Sequence, residues 1–390
     1  MDERLKREIL EKGINKRNHK IKNTWSELAL EYKDYFNNGE DLRQFIKREL
    51  KKQNKLPKKI ECIDNSTQKK INELDMKIIE FRKEKIKFQD QRRELRKIER
   101  HWGRAEHLYD EIKKSIDNVK PIEQLKIVKP IASDKEGMLI LSDFHIGLAC
   151  SNYWNKFNKD ILLKRVNKLL NKTIEYGKLN KINKLHIICL GDLVNGIIHV
   201  TSRIANAENV IQQTQLAAEI LSCMVSKLSQ EFAEIYMYNT IGNHDRVVMN
   251  KKESIADENF MLLIPWYLKA RLKNISNIKF INNEYDNQII VANICNKYVF
   301  GVHGDRDKVK NVVQNLSLML KLFPSMVVMG HVHHSEENEV FSVPIVVNSS
   351  LSGVDSYAKD LRMTSMPSQK LIIFENTDDW RVCTYNIHLG

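Results

Sequence analysis

Long apolar runs are missing from the 390 residues: none approaches the roughly 20 needed for a helix to cross a bilayer. The amino-terminal stretch MDERLKREIL is charged where a secretory signal would turn apolar, so the expected location is the cytoplasm, with no membrane partner. Cysteines are few. Cys62, Cys150, Cys189, Cys223, Cys295 and Cys383 form no C-x-x-C pair, which argues against both a disulfide framework and a thiolate zinc site. They are expected to be reduced and mostly buried. No G-x-x-x-x-G-K-[ST] segment occurs, so any ATP-driven partner would be a separate chain. What is present is 42% hydrophobic residues, enough for at least one large core in a chain long enough for two or three domains.

The net charge of +13 is unevenly spread. Residues 1–130 hold 35 Lys and Arg against 24 Asp and Glu, and residues 131–390 hold 28 against 26. A basic third joined to a near-neutral remainder predicts an electrostatic partner for the first part, nucleic acid above all. The same excess also fits a solvated face of Lys-rich helices.

Within the basic third, TWSELALEYKDYF spaces Trp25, Leu28, Ala29, Tyr32 and Phe36 along one helix face, and Thr24 with Glu27 forms a capping-box pattern. Asn37-Asn38-Gly39 breaks the chain, and EDLRQFIKRELKK resumes a helical period. Two short helices joined by a tight turn resemble a helix-turn-helix over residues 1–60, with Arg43, Lys47, Arg48, Lys51 and Lys52 presented outward to DNA. After Pro57, residues 66–118 read as one or two long helices. Ile71, Leu74, Ile78, Phe81, Phe88, Leu95 and Trp102 lie near heptad spacing, interrupted by Lys85 and Arg92. Residues 61–130 are therefore expected to be a charged helical arm and linker through which two copies could pair.

From residue 131 the texture changes to short apolar strands separated by helices near 160–178 and 207–229, an α/β pattern. Each strand runs into polar residues: D-x-H at Asp143 and His145, G-D at Asp192, G-N-H-D at Asn243 to Asp245, H-G at His303 and G-H-x-H at Gly330 to His333. Mixed imidazole and carboxylate donors suit divalent first-row cations, and a carboxylate shared by two of them holds the pair about 3.5–4 Å apart.

These five motifs, in this order, resemble the signature of the calcineurin-like metallophosphoesterases. The resemblance implies a four-layer α/β/β/α sandwich over residues 131–390, preceded by the all-helical basic region. It also implies two divalent metal ions, Mn first, with Fe or Zn as alternatives. Asp143, His145 and His333 would hold one ion, Asn243, His303 and His331 the other, and Asp192 would bridge them. A water between the cations would be the nucleophile, and His244 the general acid, oriented by Asp245. His199 stands either near the leaving group or as a plain loop histidine, and His334 has no assigned role. Arg246 and Arg306 lie beside ligands and fit either a phosphate contact or a surface ion pair.

The family includes protein phosphatases, nucleotidases, cyclic-nucleotide phosphodiesterases and repair exonucleases. The basic helical region favours a phosphodiester of nucleic acid, cut in a DNA nuclease-like manner. The repair nucleases carry a histidine three residues after the bridging aspartate, where this chain has Asn195. The alternatives are a phosphomonoesterase or protein phosphatase, or a DNA-binding regulator with a small-molecule phosphoesterase domain.

Overall fold

Met138 and Ile140 point to one side of their strand and Leu139 and Leu141 to the other, and all four are fully buried. A strand apolar on both faces must be covered on both. In the computed structural model, which describes residues 2–53, 65–117, 120–198, 204, 206–360 and 362–390, this requirement builds a layered sandwich. A six-stranded sheet runs in the order β13 (Arg381–His388), β12 (Ser368–Glu375), β1 (Lys135–Leu141), β4 (Lys184–Cys189), β5 (Glu234–Asn239) and β6 (Ile278–Phe280). The strands from β1 to β6 are parallel, while β12 and β13 are antiparallel additions. A five-stranded sheet runs β10 (Glu336–Val340), β11 (Val343–Val347), β9 (Met326–Met329), β8 (Lys297–Val302) and β7 (Ile289–Ile294).

The alternation assigns the layers. Met138, Ile140, Ile188 and Leu190 meet Ile290, Met326, Val328 and Val346 between the sheets. Leu139, Leu141, Leu185 and Ile187 face the helices α5 (Lys159–Leu179) and α6 (Val210–Leu228) on the outer side of the first sheet. Val327, Met329, Ile345 and Val347 pack against Val312–Leu320 outside the second. Helix, sheet, sheet, helix is the four-layer order. A short ribbon of β2 (Cys150–Ser151) and β3 (Lys156–Phe157) follows the first motif. Residues 120–131 are tied to this body: Ile122 N donates to Arg271 O at 2.7 Å, Asn274 donates to Glu123, and Ile131 N donates to Asn183 Oδ1.

Contacts divide the chain into two compact units, Met1–Leu95 and Arg96–Gly390. In the first, α1 (Glu3–Arg17), α2 (Trp25–Glu31) and α3 (Gly39–Gln53) close a small core of Ile9, Leu10, Leu28, Ala29, Tyr32, Leu42 and Ile46. The Thr24–Glu27 capping box is formed in both directions. Helix α2 ends at Glu31, with the remainder of its expected span in turns. Helix α1 was not among the expected elements. It packs on α3 because Gly13 leaves room for Ile46, whose Cδ1 would lie 2.2 Å from an added Cβ. Arg43, Lys47, Arg48, Lys51 and Lys52 are all exposed on α3; Arg43 is bonded to Glu40 and Lys52 to Glu49.

The arm is one 53-residue helix, α4 (Asn65–Asp117), with Leu74, Phe81, Phe88, Leu95 and Trp102 exposed along it. Lys85 and Arg92 interrupt its apolar stripe without breaking the helix, both being good helix formers. Pro57 and Cys62 lie outside the described residues. Of the five described cysteines, Cys189 and Cys295 are buried, Cys150 and Cys383 half-buried and Cys223 exposed, so the expectation of mostly buried thiols is corrected: Cys223 falls on the outer face of α6. Among the described residues no helix is long and apolar enough to cross a membrane.

Candidate metal centre

The polar residues stand just beyond the carboxyl ends of buried strands, where the chain must turn sharply to aim them at one point. Asp143, His145, Asp192, His331 and His333 all have left-handed backbones, with φ between 47° and 67°. A non-glycine residue rarely adopts this conformation, and five together mark backbone strain concentrated at the site. The glycines of the motifs have a steric reason. A Cβ on Gly242 would lie 2.2 Å from Asp192 Oδ1, and one on Gly330 would lie 2.8 Å from Asp143 Oδ2.

Two clusters result, sharing Asp192: Asp143, His145, Asp192 and His333 in one, and Asp192, His303 and His331 in the other. His145 Nε2 faces His333 Nε2 at 3.0 Å, and His333 Nε2 is 3.4 Å from Asp143 Oδ1. His303 Nε2 is 3.0 Å from Asn243 Oδ1 and 3.2 Å from Asp192 Oδ2. Asp192 Oδ2 is fully buried, and within the site it meets only the His303 ring nitrogen just described. Two facing imidazole nitrogens, a buried carboxylate oxygen and an amide oxygen are a donor set that divalent cations fit. All seven expected ligands are thus brought together.

Burial opposes charge on Asp143, but the contact with His333 and its charge hold the carboxyl down at about 2. Asp192 is likewise held well below the usual carboxylate range, by His303 and His244 against burial. Burial would lower His303, but Asp192 beside it carries it up to about 10. Burial and the neighbouring His244 and His333 push His145 far down.

Supporting contacts fix the donors. His303 directs Nδ1 at Leu190 O, 2.7 Å away, which turns Nε2 into the site. The backbone of Asp143 accepts from Leu351 N and Ser350 Oγ. One expectation needs correction. Asp245 does not hold the Nδ1 of His244; its oxygens accept from Asp192 N at 2.7 Å, Gly242 N at 3.0 Å and Val194 N at 3.3 Å. Three main-chain donors converging on one buried carboxyl brace the loops that carry Asp192 and Asn243. Burial, then the charge of Asp192, raises the Asp245 carboxyl to about 7.

The partner of His244 Nδ1 is the carbonyl of Asn195, at 3.0 Å, and His244 N donates to Asp192 Oδ1 at 2.7 Å. The Asn195 side chain turns to Asn206, whose own amide donates to Gly196 O. Sequence reasoning missed Asn206, and also Gln213, which accepts from Gly196 N. Neither lies in a motif, and only the folded loop brings them to the site. His334 lies between Val332 O and Glu336, away from the ligands. Arg246 donates to Val248 O and Met249 O, and with Lys251 and Arg306 it lines a cleft beside Asn243. His199 lies outside the described residues.

The family model of the calcineurin-like phosphoesterases matches residues 138–351, more than half of the chain and a span that includes all seven candidate ligands. The chain belongs to that family. As a calcineurin-like phosphoesterase it is similar to the SPbeta prophage-derived uncharacterized protein YonJ of Bacillus subtilis, 24% identical over 319 residues, covering 78% of this chain and 77% of that protein. Among solved structures it is similar to a novel archaeal phosphodiesterase, 15% identical with a TM-score of 0.32, over 64% of this chain and 99% of the other. It is similar also to Vps29 of Entamoeba histolytica complexed with zinc, 15% identical with a TM-score of 0.30, over 65% and 99%.

Proposed function

We propose that this metallophosphoesterase hydrolyses phosphodiester bonds of nucleic acid, DNA in the first place, in the cytoplasm and with two divalent cations, Mn(II) first among them. The observation that carries the two-cation reading is Asp192, the one carboxylate common to both clusters. Bound there, divalent cations supply Lewis acidity toward the phosphate and acidify a water.

The chain's own residues do the rest. Asp143, His145 and His333 would hold one ion and Asn243, His303 and His331 the other, while Arg246, Lys251 and Arg306 line a cleft with Asp305, where Lys251 pairs with Asp305 and the two arginines would meet phosphate oxygens. His244, with Nδ1 engaged by the Asn195 carbonyl, has Nε2 as the atom from which a proton passes to the departing oxygen. Once the proton has left, the imidazole is the neutral tautomer that the carbonyl already favours.

The nucleic-acid reading is supported by the exposed row Arg43, Lys47, Arg48, Lys51 and Lys52 on α3, since neutralised phosphates give affinity independent of sequence. The exposed apolar residues of α4 support pairing of two copies through that helix. The deciding experiment supplies Mn(II) and compares nucleotide release from DNA with phosphate release from phosphopeptides. Faster turnover of phosphopeptides would make the chain a protein phosphatase instead.

A further inference from the structure

Two aromatic side chains stand in solvent at the tip of the β2–β3 ribbon: Tyr153 is 93% exposed and Trp154 56%. Their rings meet edge to face, with centroids 5.5 Å apart. Water-exposed Trp and Tyr side by side are unfavourable for the free protein and are typical of surfaces that receive a partner.

The tip is not a loose loop. Asn152 Oδ1 accepts from Trp154 N and Asn155 N, and Asn152 Nδ2 donates to Val354 O. Asn155 Nδ2 donates to Ser352 O and Val354 O. Behind them Arg165 is buried, and its guanidinium donates to Asn155 Oδ1, Leu351 O and Ser352 O, without a carboxylate among these partners. Three hydrogen bonds from this one buried guanidinium tie the ribbon to residues 351 and 352.

That junction runs into the metal centre. Leu351 N and Ser350 Oγ both donate to the carbonyl of Asp143, and Ser349 Oγ is 3.1 Å from the carbonyl of His333. The aromatic tip is therefore braced against the same segment, residues 349–354, that braces two metal ligands. Lys156, two residues after Trp154, is exposed.

We infer that Tyr153 and Trp154 form a stacking surface for an unpaired base of a single-stranded nucleic acid whose phosphate lies at the metal centre. Stacking accepts any base, because every base has a π face, and a rigid platform loses little freedom on binding. The exposed Lys156 suits an adjoining phosphate. Duplex DNA, with its bases enclosed, would not reach this surface, so single strands or frayed ends are the fitting class. This inference rests on the nucleic-acid reading above.

The test measures KM with Mn(II) for a single-stranded oligonucleotide and for the same strand carrying an abasic residue beside the scissile bond. The intact protein should favour the base-bearing strand by about tenfold or more. Trp154→Ala, and more so the Tyr153→Ala/Trp154→Ala pair, should bring the KM ratio close to one with kcat and metal content held. Trp154→Phe should restore the preference, which a merely structural role would not require. If the intact protein cuts oligonucleotides and Trp154→Ala leaves the ratio as it was, or raises KM equally for both strands, the stacking surface is wrong while the nucleic-acid reading stands. Hydrolysis of a chromogenic diester without any cleavage of oligonucleotides would overturn both.

Discussion

The Nδ1 atom of His244 lies 3.0 Å from the main-chain oxygen of Asn195. Because the contact is to a carbonyl, it survives a change of side chain at residue 195. Asn195→Ala should therefore keep most of the activity, losing only the bond to Asn206. His244→Ala should lower kcat by roughly 10²–10⁴ with metal content retained, the range of lost general acid catalysis. The defect should shrink on nitrophenyl esters, whose leaving groups need no proton. Equal losses on good and poor leaving groups would exclude the acid role.

Removing a shared ligand should differ from removing an unshared one. Asp192→Asn should lower the occupancy of both ions and abolish turnover, whereas His333→Ala should reduce that of one. Metal analysis of the purified variants distinguishes the two. Chelation should silence the intact protein, and Mn(II) should restore it and raise the melting temperature as the ion concentration rises. Full activity without bound metal would refute the centre.

Gly242→Ala should act as a metal-site mutation without replacing any candidate ligand. The added methyl would sit 2.2 Å from Asp192 Oδ1 and 2.8 Å from Asp245 Oδ2. Lost metal affinity, read by titration calorimetry, with the fold preserved in circular dichroism, is the expected outcome.

Acid stability should depend on Glu136. Burial would raise its carboxyl, but the bond and charge of His186, with Lys184 and Cys295 N, bring it down to about 2. A carboxyl depressed in the folded state stabilises above its unfolded value near 4.5 and loses that contribution as pH falls toward 2. Glu136→Gln should cost about 1–2 kcal/mol at neutral pH, discounted for the group's partial exposure. The gap from the intact protein should close between pH 4.5 and 2, as measured by denaturant unfolding.

Deleting residues 1–117 should leave hydrolysis of a small chromogenic diester intact, because every proposed ligand follows residue 140 and the pinned stretch 120–131 is kept. DNA affinity should fall sharply. In the intact protein log affinity should fall with log salt by about 0.9 per phosphate contacted, and replacing Arg43, Lys47 and Lys51 by Ala should flatten that slope by up to about three contacts. Equal DNA binding by truncated and intact protein would reduce the basic third to a solvated spacer.

The strand-end motifs were legible because each joins an apolar run to a donor residue, and both features are side-chain identities. The layered core followed from alternation within the same runs. What escaped were interactions of main-chain atoms: the carbonyl of Asn195 and the amides gathered by Asp245 have no signature in residue type. Helix α1 escaped because its packing depends on the absence of a side chain at Gly13, meaningful only once Ile46 is opposite. The left-handed ligand backbones are invisible in a sequence that places Asp and His, not glycine, at those positions.

The division of labour within β1 has a consequence for how this chain can vary. Successive residues from Met138 to Leu141 answer alternately to the inter-sheet core and to the helix-facing core, and the strand then runs directly into Asp143 and His145. Substitutions that keep bulk at any of these positions are local events. A single-residue insertion or deletion is not: it would exchange the two cores' side chains along the whole strand and turn the first two candidate metal ligands to the wrong side. Changes of length are therefore expected to be excluded from this stretch in functional variants, and to collect instead in the connections at the opposite end of the sheet.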